Sequence, residues 1–495
     1  MYLLGIDLGS SSVKASLLDA GTGKFIASAV HPRTEMEIIA HKTGWAEQDP
    51  ELWYKYTRDC IRDIMVNAMI DPGNITAIGL TYQMHGLVVV DRHYKVLRPS
   101  IIWCDSRAVD TGNKAFDELG HEECLTRLLN SPGNFTASKL KWVKDNEPEI
   151  YKKVHRIMLP GDYLAYRLTG EVCTTVTGLS EAILYDFRYD QMAGFLLDYY
   201  GIDPALIPDV VPVFSVQGKL TRQAADYLGL KAGTKVTYRA GDQPNNAFSL
   251  KVLNPGEIAA TAGTSGVVYG VSSETRYDNL SRVNTFAHVN HSRENPRLGV
   301  LLCINGTGIL NSWMKKMVGN SRVSYEEMNR MAGKIPVGSA GLAILPFGNG
   351  AERIFTNANI HAHILNLDFN IHSKEHLFRA AQEGIVFSFI YGMDIMRGTG
   401  IIPSIIRAGK ANMFLSPLFD TTLATLSGAD IELYNTDGAQ GAARAAGIGA
   451  AIYKDFTEAF DGLKIVETIH PDEEKKDQYL EAYHNWISML KKFIK

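Results

Sequence analysis

The sequence predicts an α/β protein built as two related domains, and two observations predict it. Apolar runs of strand length alternate with segments of helical period along most of the chain. In addition, a glycine-punctuated hairpin signal occurs twice. The first is Gly5-Ile6-Asp7-Leu8-Gly9-Ser10-Ser11-Ser12-Val13-Lys14; the second runs from Gly256 through Ala262-Gly263-Thr264-Ser265-Gly266 to Tyr269. In each, a strand breaks at a small hydroxylated turn and then resumes. Such turns aim backbone N–H and hydroxyl groups at one spot, which is how a protein without a lysine-bearing loop holds phosphates. One glycine turn is an ordinary structural element; the similar pair points to duplicated domains with a nucleotide clamped between them.

The elements follow in order. After the first hairpin, Val30 to Trp45 reads as strand and loop, and Asp49-Pro50-Glu51 opens a helix. Asp49 can cap it, Pro50 fits the first turn, and Leu52, Trp53, Tyr56, Cys60, Ile61, Ile64 and Met65 recur at helical spacing. Strands are expected at Ile75 to Tyr82, Leu87 to Asp91 and Ser100 to Trp103. From Val109 to Gly201 the pattern turns mainly helical, with Lys139 to Lys144 and Tyr163 to Leu168 clearest, as an insertion capping one end of the first sheet would. A helix at Thr221 to Leu228 and a strand at Lys235 to Ala240 lead into Gly241-Asp242. The turn Asn254-Pro255-Gly256 marks the crossing between domains, expected to span 1–250 and 251–495. The second half continues with a helix from Ile309 to Val318, a loop-like run from Leu345 to Gly350, and a long helix from Lys374 to Arg397. A strand at Ile402 to Arg407 then leads to the turn Ala408 to Asn412. Tyr479, Tyr483, Trp486, Leu490 and Phe493 form the apolar stripe of a tail helix packed on the body.

Composition bounds the function. The chain has 495 residues, 45% hydrophobic and 21% charged, enough for two large cores, and a formal net charge of -4. With no basic footprint, nucleic acid and anionic membranes are disfavoured as partners. The five cysteines are scattered without a CxxC pair, so a disulfide framework is not indicated and a reducing cytoplasm is the expected compartment. No apolar run reaches the roughly 18 residues that span a bilayer.

Searches for familiar catalytic patterns return little. Gly23-Lys24 and Gly409-Lys410 lack the Ser or Thr that would complete a lysine phosphate loop. His361 with His363, and His288 with His291, read as surface histidines rather than metal ligands. What remains is a set of acids ending apolar strands: Asp7, Asp91, Asp105 and Asp242. Such a position serves turn capping and chemistry equally well.

From end to end the chain resembles the FGGY carbohydrate kinases, of the actin/hexokinase/Hsp70 superfamily, and most of all their xylulokinase branch. The resemblance rests on Gly5-Ile6-Asp7-Leu8-Gly9, Trp45-Ala46-Glu47-Gln48-Asp49-Pro50, Gln83-Met84-His85-Gly86 and Trp103-Cys104-Asp105-Ser106-Arg107. It continues through Lys139-Leu140-Lys141-Trp142, Leu159-Pro160-Gly161-Asp162-Tyr163-Leu164, Gly241-Asp242-Gln243, Gly263-Thr264-Ser265-Gly266, and Gly438-Ala439 with Gly441-Ala442. It implies two ribonuclease-H-like domains with the active site in the cleft between them, ATP and Mg²⁺ as cofactors, and a homodimer as in many relatives. It also implies transfer of phosphate to O5 of D-xylulose, with L-fuculose, L-rhamnulose, L-ribulose or glycerol as alternative substrates. A chaperone-like or sensory ATPase is the alternative of another class.

The site residues follow from the same resemblance. Asp242 matches the catalytic base, and Asp7 the acid that organises Mg²⁺ through water. Gln83, Met84, His85, Trp103, Asp105 and Arg107 match the sugar side, with Gln243 beside the base. Ser10, Ser11 and Ser12 face the triphosphate, as do Gly263 and Thr264 from the other domain; Gly308, Ser312, Gly409 and Asn412 match positions around adenine and ribose. The chain departs from the branch at Gln243, where Asn is usual and Gln is the glycerol-kinase form. It also departs at Arg407-Ala408 in place of two glycines, at Thr174-Thr175 in place of Ser-Asp, and at the inserted Ala351.

Overall fold

The computed structural model describes residues 1–320 and 322–494. They form two compact units, each described by itself. The first comprises Met1–Lys251, Phe286–Leu298 and Thr436–Leu463; the second comprises Val252–Thr285, Gly299–Asn435 and the chain from Lys464 onward. The chain leaves the first unit at Lys251, but neither unit is a continuous half. Two later stretches that the sequence assigns to the second half group with the first unit, and for Thr436–Leu463 the reason is visible in its sheet.

That sheet has six strands in the order Phe214–Lys219, Lys235–Gly241, Ile75–Tyr82, Tyr2–Leu8, Val13–Asp19, Phe25–His31. The three central strands are parallel and the outer ones antiparallel to their neighbours. Across them lies the helix Gly438–Gly449, of sequence GAQGAARAAGIG. It lies so close that a Cβ on Gly5 would stand 1.8 Å from the Ala439 carbonyl oxygen, and one on Gly79 would stand 2.0 Å from that of Ala442. Helix and strands thus meet backbone to backbone, and Thr237 donates its hydroxyl to the Ala446 carbonyl at 2.8 Å. A helix of small residues has this sheet face as its match, which is why the chain returns here so late.

On the other elements, Asp49 caps the helix Pro50–Ala68 by accepting the Glu51 N–H, and Trp53, Cys60, Ile61 and Ile64 turn inward as the period predicts. The helical insertion includes Thr136–Asn146, Pro160–Thr169 and the short Val176–Glu181.

In the second unit the sheet order is Asn284–Ala287, Leu298–Ile304, Gly266–Ser272, Glu257–Ala262, Ile405–Gly409, Asp430–Tyr434, Ile465–Ile469. A hairpin again precedes parallel strands: Glu257–Ala262 pairs antiparallel with Gly266–Ser272 and parallel with Ile405–Gly409. The helix Lys374–Gly398 runs through the core of this unit. Tyr479, Tyr483, Trp486 and Leu490 of the tail helix Lys476–Leu490 are buried, and the Trp486 indole donates to the Ile344 carbonyl at 2.9 Å. Two boundaries differ from expectation. The run Leu345 to Phe347 belongs to a strand, Ala343–Phe347, paired with His361–Leu365. The later strand begins at Ile405, past exposed Ile402, and extends through Gly409, so Gly409 ends a strand instead of lying in a turn.

The helix–sheet contact yields a prediction. Gly79→Ala forces backbone apart and is expected to lower unfolding free energy by about 1–3 kcal/mol or more in urea titration. Gly194→Ala, whose Cβ meets nothing within 4 Å, serves as the control and is expected to change it by less than about 0.5 kcal/mol.

Candidate active site

In the first unit three parallel strands end level, with Leu8 opposite Tyr82 and Tyr82 opposite Gly241. This register brings Asp7, Gln83 and Asp242 to one edge of the sheet, the edge at which α/β proteins bind ligands. Asp242 opens the helix Asp242–Ser249, where the helix dipole favours a carboxylate. Gly241 before it has no room for a side chain, since a Cβ would stand 2.5 Å from Met84 Cγ.

A third acid arrives from the far end of the sequence. Asp437 caps the helix Gly438–Gly449 by accepting the Gln440 N–H at 2.9 Å, and it takes the Lys14 ammonium at 2.7 Å. A Cβ on Gly438 would stand 2.5 Å from Asp7 Oδ2, so only glycine fits beside that carboxylate. Asn245 donates to the Gly438 carbonyl at 2.9 Å, tying the Asp242 helix to the same point. Burial, then the nearby Asp437, push Asp7 up to about 6 against the pull of Lys14. Burial, then Asp7, push Asp242 up to about 7, against hydrogen bonds from the Gln243 main chain and side chain. Sequence reading missed Asp437 and Lys14, although an Asp before a Gly/Ala-rich segment is a capping signal.

Beside these acids lies the segment Gln83 to His85. Gln83 is buried and donates to Gln48 Oε1 at 3.0 Å. Gln48 in turn accepts the Trp53 indole N–H at 3.1 Å and donates to the Ser10 carbonyl at 2.6 Å, so one side chain links the first hairpin turn, a helix and this segment. Met84 is buried against Gly241. His85 has a left-handed backbone, φ 62°. Its N–H donates to Glu181 Oε2 at 3.2 Å, its ring Nδ1 lies 2.8 Å from the Glu181 carbonyl oxygen, and its own carbonyl accepts from Lys139 Nζ at 2.8 Å. Lys139 is fully buried, also donates to the Ile102 carbonyl, and is pulled down to about 7 by burial. Lys139 stands in a quoted stretch of sequence, but nothing in the sequence marks Glu181.

The loop after Ile101 divides into two roles. Trp103 is 53% exposed and its indole donates to Ser10 Oγ at 3.3 Å, which puts an aromatic face at the turn Ser10-Ser11-Ser12. Asp105 and Arg107 are turned inward. Asp105 accepts from the Ala46 N–H at 2.6 Å and pairs with Arg107 at 2.6 Å; Arg107 also pairs with Glu47 at 2.7 Å and lies over the Trp45 ring at 3.8 Å. In this structure their charged groups face each other, Glu47 and the Trp45 ring.

In the second unit the hairpin turn is stapled to a helix start: Gly308 N–H donates to the Gly263 carbonyl at 2.9 Å and Ile309 N–H to the Thr264 carbonyl at 3.1 Å. Gly263, Thr264, Gly308, Ser312 and Asn412 all line one cavity of about 1180 Å³, larger than a typical small-molecule pocket. Gly409 is not among its lining residues. Sequence reading missed its other walls, among them Tyr325, Asn329, Arg379, Ser416 and Tyr479. Arg379 is held by Glu383 at 2.7 Å and by the Tyr479 hydroxyl at 3.2 Å. Asn329 accepts from Gln382, whose Oε1 accepts from Ser416, so buried Gln382 ties two residues of the cavity wall together. Arg407 lies on the strand, paired with Glu257 at 3.1 Å and Glu432 at 2.8 Å, and is likewise absent from the cavity lining.

The two histidine pairs belong to no metal cluster: among the described residues no group of three or more His, Cys, Asp or Glu is placed to hold a metal directly. The acids near Asp7 do suit a hydrated Mg²⁺, which keeps several waters and takes one or two carboxylates. No helix of the described residues is long and apolar enough to cross a membrane.

The raised acids carry a pH signature. The folded chain keeps these protons to about pH 6 at Asp7 and about pH 7 at Asp242, whereas unfolded carboxyls release them near pH 4. Their contribution to stability is therefore fully present at low pH and is lost as pH rises from about 4 to about 7. Asp242→Asn is expected to raise Tm by about 3 °C or more at pH 8, measured without ligands, with the gain shrinking as pH falls and vanishing only near pH 4.

With this geometry in place, the comparisons are consistent with one another. The model of the FGGY family of carbohydrate kinases, N-terminal domain, matches residues 2–249. The chain is 27% identical to the xylulose kinase of Staphylococcus xylosus, covering 98% of each chain. It is 29% identical to that of Bacillus subtilis, covering 92% of this chain and 90% of the other. Among solved structures, xylulose kinase from Rhodospirillum rubrum superposes with a TM-score of 0.90 at 23% identity over 99% of each chain. Plasmodium falciparum glycerol kinase with ADP does so with a TM-score of 0.88 at 21% identity, covering 100% of this chain and 98% of that one. These likenesses give the fold, the two-domain α/β fold of the sugar kinases of the actin and hexokinase type. The family match spans just over half of the chain, and the chain belongs to the FGGY family of carbohydrate kinases: it is a sugar kinase.

Proposed function

We propose that this kinase transfers the γ-phosphoryl group of ATP to O5 of D-xylulose, with Asp242 as general base. The observation that carries the reading is the level ending of three parallel strands, which sets Asp242 beside Met84 and the Gln83 to His85 segment. The xylulose kinases of Staphylococcus xylosus and Bacillus subtilis, similar over nearly the whole chain, supply the substrate class.

In this reading the sugar hydroxyl hydrogen-bonds to the Asp242 carboxylate. As the hydroxyl oxygen attacks the γ-phosphorus in line, its proton passes to Asp242 and the bond to the β-phosphate oxygen breaks, releasing ADP. A pKa pushed up to about 7 suits a base working near neutral pH. Met84, His85 and the exposed Trp103 ring hold and orient the sugar. Gly263 and Thr264 of the hairpin turn hold the phosphates, with the rest of the nucleotide in the 1180 Å³ cavity that both residues line. Mg²⁺, held by Asp7 through water, would neutralise phosphate charge. A second reading rests on Gln243, whose side chain bonds to Asp242: glycerol or another small polyol replaces the ketose.

ADP release is measured with D-xylulose, L-ribulose, L-fuculose, L-rhamnulose, glycerol and no sugar. The expected outcome is a rate with D-xylulose well above every other. A higher rate with glycerol selects the second reading, and ATP hydrolysis indifferent to all sugars defeats both. Asp242→Asn is expected to lower kcat at least about a hundredfold while leaving the KM for ATP within about threefold. Wild-type turnover in that variant would remove Asp242 from the mechanism.

A further inference from the structure

We infer that Glu181 is a positioning residue for sugar recognition, its carboxyl and its own main-chain carbonyl together fixing the backbone and ring of His85 beside Met84 and Asp242. The inference rests on the reading of Gln83-Met84-His85 as the sugar-contacting segment.

His85 occupies a conformation that a side chain other than glycine's reaches only at a cost, with φ 62°. Its surroundings therefore have to over-determine it, and Glu181 provides two polar contacts that do so. The carboxyl Oε2 accepts the His85 main-chain N–H at 3.2 Å, and the Glu181 carbonyl oxygen lies 2.8 Å from the ring Nδ1. A carbonyl oxygen only accepts, so Nδ1 carries the hydrogen, and in the neutral ring the acceptor lone pair is placed on Nε2. The ring is then boxed by Phe135 at 4.7 Å and Phe286 at 5.3 Å between centroids.

The carboxyl is placed to do this and is expensive to keep. Glu181 is 1% exposed at the end of the short helix Val176–Glu181. The Tyr82 hydroxyl donates to Oε1 at 2.6 Å, anchoring it to the level end of the central strand. Oε2 would stand 3.2 Å from a Cβ on Gly241, so the same oxygen that holds His85 also backs the residue before Asp242. Burial holds the carboxyl well above its usual range, and the acids Asp242 and Asp162 raise it further. A leucine would fill this space without that penalty. What leucine cannot do is accept the His85 N–H.

The test measures KM and kcat for the sugar that the wild type turns over, together with KM for ATP, in Glu181→Leu, Glu181→Ala and Glu181→Gln. Leucine restores apolar packing, so a folded protein is available even if alanine fails to fold. Glu181→Leu and Glu181→Ala are expected to raise the sugar KM about tenfold or more, with KM for ATP unchanged. Glu181→Gln, whose amide oxygen accepts from His85 while its NH₂ donates to the Tyr82 oxygen, is expected to stay within about threefold of wild type. A wild-type sugar KM in folded Glu181→Leu overturns the inference, as does a glutamine variant as impaired as leucine. A wild type with no sugar-dependent ADP release instead brings down the reading of the sugar segment itself.

Discussion

The first unit depends on the backbone-to-backbone approach of the helix Gly438–Gly449 to the strands Tyr2–Leu8 and Ile75–Tyr82. Gly5 and Gly79 leave no side chain in the way, and alanines and glycines on the helix complete the match. Because the helix seats this deeply, its capping residue Asp437 and the following Gly438 arrive beside Asp7. A bulkier residue at any of these glycines would lift the helix and move an acid of the site. The packing of the unit and the electrostatics of the site are thus set by one contact.

The cost of that arrangement is visible in the charges. Asp7, Asp242 and Glu181 are all held above the usual carboxylate range by burial and by other acids. Lys14 offsets part of this through Asp437 and Asp7. Acids kept this close without a matching number of cations destabilise the empty protein, and they suit a site that takes up a cation and a proton during its work. In the second unit the corresponding hairpin turn is fixed by two main-chain bonds to the start of the helix Gly308–Met317, and Gln382 joins Asn329 and Ser416 of the same cavity wall. Each unit therefore has a strand–turn–strand against which a later helix is fixed, through Gly5 and Lys14 in the first and through the turn itself in the second.

What the sequence made legible is local. Asp49 reads as a cap because its capping partner is two residues away, and the tail stripe from Tyr479 to Leu490 reads as a buried face because helical period alone sets it. Gly263, Thr264, Gly308, Ser312 and Asn412 were picked out by resemblance, and they line one cavity. What sequence hid is set by long-range register and packing. Asp105 and Arg107, read as sugar-side by resemblance, contact Glu47, Trp45 and each other, partners brought together by a fold that no spacing encodes. The guanidinium of Arg407 is taken by Glu257 and Glu432 on the flanking strands, a pairing that no local spacing shows. Glu181 has no sequence signal, because its role exists only once His85 and Gly241 lie against it.

The central claim, that a sugar hydroxyl receives the γ-phosphoryl group, is tested most directly by ³¹P NMR of the protein with ATP, Mg²⁺ and D-xylulose. The account predicts a phosphomonoester signal, coupled to the C5 methylene protons, that grows one for one with ADP. Growth of orthophosphate instead, at a rate unaffected by the sugar, would contradict it.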